Sequence, residues 1–157
     1  MLFARLAAFV LLPTFIAGWY FFTIATPMYA SKSEFLILKA ETSSGGIGGL
    51  FSGTQFATNQ DAIAVQSYLT SKDAMLRLDQ DEGFRAHFSQ PDLDPLRRLE
   101  PDATAEDMYK LYKKYVQIGY DPTEGVIRME VAAANPQVAA NFSTALIGYA
   151  EERVDNL

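Results

Sequence analysis

The stretch from Phe9 to Phe35, FVLLPTFIAGWYFFTIATPMYASKSEF, passes from an apolar run into an alternating, charged segment. No side chain between Leu6 and Ser31 is charged, and the twenty residues from Leu6 to Ala25 are predominantly apolar. A helix of that length spans about 30 Å, which is the thickness of the hydrocarbon layer of a bilayer. Ten of the twenty are Leu, Ile, Val or Phe. Together they favour insertion by about 3 to 6 kcal/mol. We therefore predict a retained membrane helix.

The flanks of this segment support the same interpretation. Trp19, Tyr20 and Tyr29 lie toward its end, and amphipathic rings prefer the headgroup level of a membrane. Pro13 predicts a kink, and the carbonyl that it frees would gain from a neighbouring helix. A cleaved signal peptide and a buried soluble helix remain as alternatives. Because the following domain is acidic overall, we expect the N-terminus in the cytoplasm and the domain outside.

Composition limits what the rest of the chain can be. Its 157 residues are enough for an anchor and one domain of ordinary size. The net charge of −6 disfavours nucleic acid as a partner. The absence of cysteine excludes disulfides, zinc–thiolate sites and cysteine nucleophiles, and His87 is the only histidine. We predict that His87 is a packed or surface residue and not a ligand.

A strand and a glycine-rich loop are predicted directly after the apolar segment. Tyr29, Phe35 and Ile37 share one face of that strand, because side chains in strands repeat with period two. The run SSGGIGGLFSG, residues 43–53, matches neither a Walker loop nor a dinucleotide-binding pattern, and we predict a flexible loop. With Pro13, its glycines are the candidate partner or oligomer contacts: Gly45, Gly46, Gly48, Gly49 and Gly53. No catalytic, cofactor-binding or metal-binding residue is predicted.

Helices are indicated in the middle of the chain by their capping residues. A first helix is predicted to begin after Asn59 as its cap, and a second to begin after Ser71 and to stop at Gly83. The segment SQPDLDPLRRLEPDAT, residues 89–104, carries three prolines and is predicted to be an irregular connector. Thr104 begins a further helix, and Asp107 completes a near capping box.

The segment YVQIGYDPTEGVIRMEVAA, residues 115–133, predicts a β-hairpin with Gly125 in positive φ. Asn135 and Pro136 then begin a last helix. The strand from Tyr29 is expected to pair with the hairpin, since a single strand cannot satisfy its own backbone groups. We predict an α+β fold: one N-terminal transmembrane helix (1–27), a small α+β periplasmic domain of about three strands with helices packed on the sheet (28–135), and the start of a long helix, cut in mid-course (136–157).

Taken in order, the anchor, YASKSEF (29–35), SYLTSKDAMLRLD (67–79), YDPTEGVI (120–127) and the last helix resemble the capsule polysaccharide export inner-membrane proteins. These belong to the polysaccharide co-polymerase group and are related to the Wzz-type chain-length determinants. The resemblance implies an oligomeric inner-membrane protein with a coiled-coil extension. It also implies that the protein links a polysaccharide-exporting ABC transporter to an outer-membrane polysaccharide exporter. Family members continue through long helices to a second membrane helix, so the chain resembles their N-terminal half.

Three classes of function remain in competition. The first is an export and assembly protein of the inner membrane without chemistry of its own, and it is the one we predict. The second is a membrane-anchored periplasmic sensor that binds a small ligand. The third is an anchored glycan-processing enzyme, for which Asp79, Asp81 and Glu82 are the available carboxylates. A run of acids near a helix end is usually solvated, so we expect no enzyme and no cofactor.

Overall fold

The computed structural model describes residues 2–37 and 55–156. The elements in chain order are α1 (Leu2–Thr23), β1 (Tyr29–Leu36), α2 (Gln55–Leu69), α3 (Lys72–Glu82), α4 (Phe84–Phe88), α5 (Ala105–Tyr115), β2 (Val116–Asp121), β3 (Val126–Ala133) and α6 (Pro136–Asp155). The α+β class is confirmed, with α1 as a candidate membrane span. The loop predicted over residues 43–53 lies outside the described residues.

The sheet is antiparallel with the strand order β1-β3-β2. β3 is therefore central, and the first strand after α1 pairs with the hairpin as predicted. Tyr29 lies opposite Ala133, and Leu36 lies opposite Val126 at the other end of the ladder. Because β1 follows α1 after a linker of only a few residues, the sheet begins directly beside the end of the apolar helix.

The core lies between one face of the sheet and the helices α2, α3, α5 and α6. Alternate residues of β3 point into it, as period-two side-chain alternation requires, and Ile127, Met129 and Val131 are fully or almost fully buried. The ring of Phe84 lies between the rings of Phe88, Tyr112 and Phe142, and the centroid-to-centroid distances are 4.8 to 5.7 Å. Such edge and tilted aromatic contacts stabilise a core beyond the area that they bury.

Most of the predicted helix ends are confirmed. Ser71 Oγ accepts the Ala74 amide at 3.3 Å, and Gly83 adopts φ 69° while its amide donates to the carbonyl of Asp79 at 3.0 Å. Thr104 and Asp107 form a reciprocal capping box, and Asn135 caps α6 ahead of Pro136. Gly125 has φ 71° in the hairpin turn.

The predicted cap at Asn59 is wrong. Within the described residues α2 begins at Gln55, so Asn59 lies inside the helix. Its Oδ1 accepts a hydrogen bond from the hydroxyl of Tyr120 on β2, and a capping role would have required it to face its own backbone. The side chain therefore connects α2 to the sheet.

Candidate functional site

The apolar surface of α1 is the first feature that needs a partner. Residues Arg5–Thr23 have a mean hydropathy of 1.7, and none of them is buried against the rest of the chain. Phe22 is 95% exposed, Phe9 86% and Phe15 74%. A groove of about 920 Å³ runs along the helix, but the residues lining it all belong to α1 and its end, so it is a helix surface and not a ligand pocket. Within the described residues this exposure disfavours the alternative of a buried soluble helix, because such a helix packs its apolar side chains inside.

The second feature is a cluster that ties the end of α1 to the connector between α4 and α5, and we call it the junction. It consists of Tyr20, Thr26, Asp94 and Arg97. The hydroxyl of Tyr20 donates to a carboxylate oxygen of Asp94. The Asp94 amide donates to Thr26 Oγ1 at 2.9 Å, and the Arg97 guanidinium donates to the Thr26 carbonyl at 2.8 Å. These hydrogen bonds join residues that are 68 to 74 positions apart in the sequence, and they fix the end of α1 against the domain.

Asp94 is the central residue of the junction, and only 2% of it is exposed. The hydrogen bond from Tyr20, the amide of Leu96 at 3.0 Å and the nearby Arg97 charge lower the pKa of Asp94, although desolvation opposes them. The carboxylate is therefore ionised at neutral pH. A buried carboxylate is tolerated only when it is paired and hydrogen-bonded, and the junction supplies both kinds of partner.

The third feature is the outer face of the sheet, which is polar and open. Arg128 on β3 contacts Glu34 on β1 at 3.1 Å, Asp121 on β2 at 2.7 Å and Glu124 in the turn. Lys32 pairs with Glu130 at 3.4 Å. These pairs are largely exposed, so each contributes little to stability. They connect all three strands across a charged surface that no described element covers.

His87 lies inside the fold. Its Nε2 accepts the amide of Ala134 at 3.2 Å, and its ring makes edge contacts with Phe88 and Phe142. Burial lowers the pKa of His87, which favours the neutral imidazole that can accept this bond. His87 is a packed residue, as predicted. Among the described residues no group of three His, Asp or Glu is placed to hold a metal ion.

The carboxylates considered for an enzyme have other contacts. Asp79 Oδ1 accepts the Arg85 amide at 2.6 Å, where it helps to position α4 after α3. Asp81 accepts the Tyr149 hydroxyl at 2.5 Å and lies 3.6 Å from the Arg77 guanidinium. These contacts join α3 to α4 and to α6. In the described ranges, no observation favours either the enzyme or the sensor alternative.

Of the predicted contact residues, only Pro13 is among those that the structure describes. Pro13 lies inside α1, and no residue of Arg5–Thr23 is buried against the rest of the chain. Gly45, Gly46, Gly48, Gly49 and Gly53 lie outside the described residues. Sequence reasoning missed the junction, because the segment PDLDP, residues 91–95, has the composition of a solvated turn. The one signal in the sequence was Tyr20 near the end of the apolar run, because a buried tyrosine hydroxyl usually has a polar partner.

The chain is similar over most of its length to inner-membrane proteins of capsule export, as its sequence led us to expect. It is 26% identical over 151 residues to the capsule polysaccharide export inner-membrane protein KpsE of Escherichia coli. The corresponding values are 27% over 154 residues for BexC of Haemophilus influenzae and 29% over 154 residues for CtrB of Neisseria meningitidis serogroup A. Each match covers 94% of this chain and 40% or 41% of the relative, so the chain spans about two fifths of their length. No family model matches the chain.

Proposed function

From its similarity to capsule polysaccharide export inner-membrane proteins, we propose that this chain is an inner-membrane component of a capsular polysaccharide export system. It works without catalysis, by oligomerising and by bridging an ABC transporter to an outer-membrane exporter. The observation that carries the proposal is a match over 94% of the chain. The remaining 6% of 157 residues is about nine, fewer than the 22 of α1, so the match must include much of the apolar helix.

The proposed place of the chain is the inner membrane, with α1 crossing it and the α+β domain in the periplasm. The exposed apolar surface of α1 supports this placement, since water is a poor solvent for it and lipid a good one. The junction supports a rigid connection, because Tyr20 and Thr26 are held by the domain immediately at the helix end. Movement of the anchor would thereby be transmitted to the sheet.

Self-association is the part of the proposal that Pro13 supports. Proline has no amide hydrogen, so the carbonyl of Phe9, four residues earlier, lacks its helical donor. The nearby hydroxyl of Thr14 donates to the carbonyl of Val10 at 2.7 Å and is therefore already used. In hydrocarbon a free carbonyl costs several kcal/mol and favours a donor from a neighbouring helix. Pro13→Ala restores the amide and should weaken self-association in micelles, measured by analytical ultracentrifugation.

The acidic balance of the chain fits a component of a conduit. Its net charge is −6, and many capsule polymers are acidic. A negative wall repels such polymers and does not trap them. The mixed charges on the outer sheet face are mutually paired, which leaves that face suited to a polar contact with another protein of the assembly.

A chimera tests the export function directly. Residues 1–157 replace the matching segment of KpsE in an Escherichia coli strain that lacks KpsE, and surface capsule is measured with a capsule-specific antibody. We expect capsule to return. The same chimera with α1 replaced by a cleavable signal peptide is the control, and it should not restore capsule. A stable, membrane-inserted chimera that exports no capsule would contradict the proposal.

A further inference from the structure

We propose that the connector residues 91–99 form a second membrane contact, in which the side chain of Leu96 enters the interfacial layer beside the end of α1. The inference rests on the proposed insertion of α1 and adds a lipid-binding surface on the domain itself. The partner is the bilayer: glycerophospholipid headgroups and the first methylenes of their acyl chains.

The junction fixes the height of the connector relative to the helix. Tyr20, which donates to Asp94, lies three residues before the end of α1 at Thr23, a distance of about 4.5 Å along the axis. Thr26, just beyond the helix, holds the Asp94 amide. The connector is therefore level with the last turn of α1. If α1 spans the bilayer, that turn lies at the boundary between hydrocarbon and headgroups.

Leu96 is the apolar side chain that this placement brings to the membrane. It is 76% exposed, which makes it the most exposed large apolar residue outside α1 among those described. It follows Asp94 by two residues, so its Cα lies within about 7 Å of that anchored position. The Leu96 amide donates to Asp94 Oδ1 at 3.0 Å, which fixes the backbone while the side chain points away from the core. An exposed leucine held at this height gains from entering the lipid.

The neighbouring charges are compatible with this contact. Asp94 is buried and paired, so the connector does not carry an uncompensated carboxylate at this point toward the lipid. The Arg97 guanidinium is held at the Thr26 carbonyl and lies 4.0 Å from Asp94, so it compensates that carboxylate within the junction. The exposed Asp92 lies on the other side of Asp94.

Single-cysteine labelling tests the contact cleanly, because the chain has no cysteine. Three variants of the full chain, Leu96→Cys, Phe15→Cys and Thr123→Cys, are labelled with the environment-sensitive fluorophore NBD. They are reconstituted in vesicles of phosphatidylcholine and phosphatidylglycerol. Thr123 is the matched exposed control, because the sheet register puts its turn at the end of the ladder opposite to Tyr29, about 23 Å along the strand. Quenching is measured with aqueous iodide and with a lipid spin-labelled near the headgroup.

We expect the label at Leu96 to emit at shorter wavelength than the label at Thr123. It should also be quenched several-fold more strongly by the spin-labelled lipid and several-fold less by iodide. Equal quenching at the two positions, with the Phe15 label buried in lipid, would overturn the second contact and leave the anchor intact. A Phe15 label accessible to iodide would overturn the insertion of α1 and the second contact with it. Circular dichroism of each variant confirms the fold.

Discussion

Two glycine-to-alanine substitutions should change stability in opposite directions, although they add the same methyl group. Gly83 stands between α3 and α4 with φ 69° and ψ 47°. A Cβ there would lie 3.6 Å from the Cβ of Ala86, which is an ordinary contact, so the cost is that of the left-handed backbone. That conformation costs an L-residue about 1–2 kcal/mol, and the smaller entropy of the unfolded chain offsets about 0.4–1 kcal/mol. We expect Gly83→Ala to destabilise the domain by about 1 kcal/mol.

Gly148 is the matched control. It lies inside α6, and an added Cβ would meet no atom within 4 Å. Alanine is favoured over glycine in a helix by about 0.8–1 kcal/mol, so Gly148→Ala should stabilise the domain. The two variants should therefore differ in free energy of unfolding by about 2 kcal/mol, which corresponds to about 4–8 °C in Tm for a chain of this size. Near-UV circular dichroism of the tyrosines, followed on heating in micelles, measures it. Shifts of both variants in the same direction would refute the backbone argument.

Four further outcomes are expected. Expressed in bacteria, the chain should sediment with the inner membrane at full mass, and a soluble species beginning near Thr26 or Ser31 would show cleavage instead. Burial lowers the pKa of His87, so the unfolded chain gains a proton at higher pH than the folded chain, and stability should fall as pH drops below 6.5. NMR of this single histidine measures its pKa, and an ordinary value would contradict the burial. Tyr20→Phe removes the hydrogen bond that contributes most to lowering the pKa of Asp94, so NMR titration of that carboxyl should show a rise toward 3.8; an unchanged pKa would contradict the contact. Deleting residues 45–53 from a full-length chain should leave folding and insertion intact but lower surface polysaccharide, whereas normal export would remove the loop's proposed role.

The sequence alone determined most of the local elements and their order, apart from the start of α2 and the short helix α4. Ser71, Thr104 and Asn135 cap helices through atoms that lie two or three residues away, and Gly125 turns a hairpin whose strands adjoin it. Such interactions depend on neighbouring residues only, so they can be predicted from the sequence. The pairing of β1 with the hairpin also followed, because the predicted strands offered no other partner.

Only the tertiary structure decided which polar side chains meet across long separations. Asn59 looked like a helix cap, but it binds Tyr120, 61 positions away. Asp94 belongs to a segment that was predicted only as an irregular connector, but it is buried at the junction against Tyr20, 74 positions away. A side chain that can bond its own backbone can equally bond a distant partner, and local composition does not distinguish these options. The fold distinguishes them, because packing brings the two partners together and partly excludes water from the hydrogen bond between them.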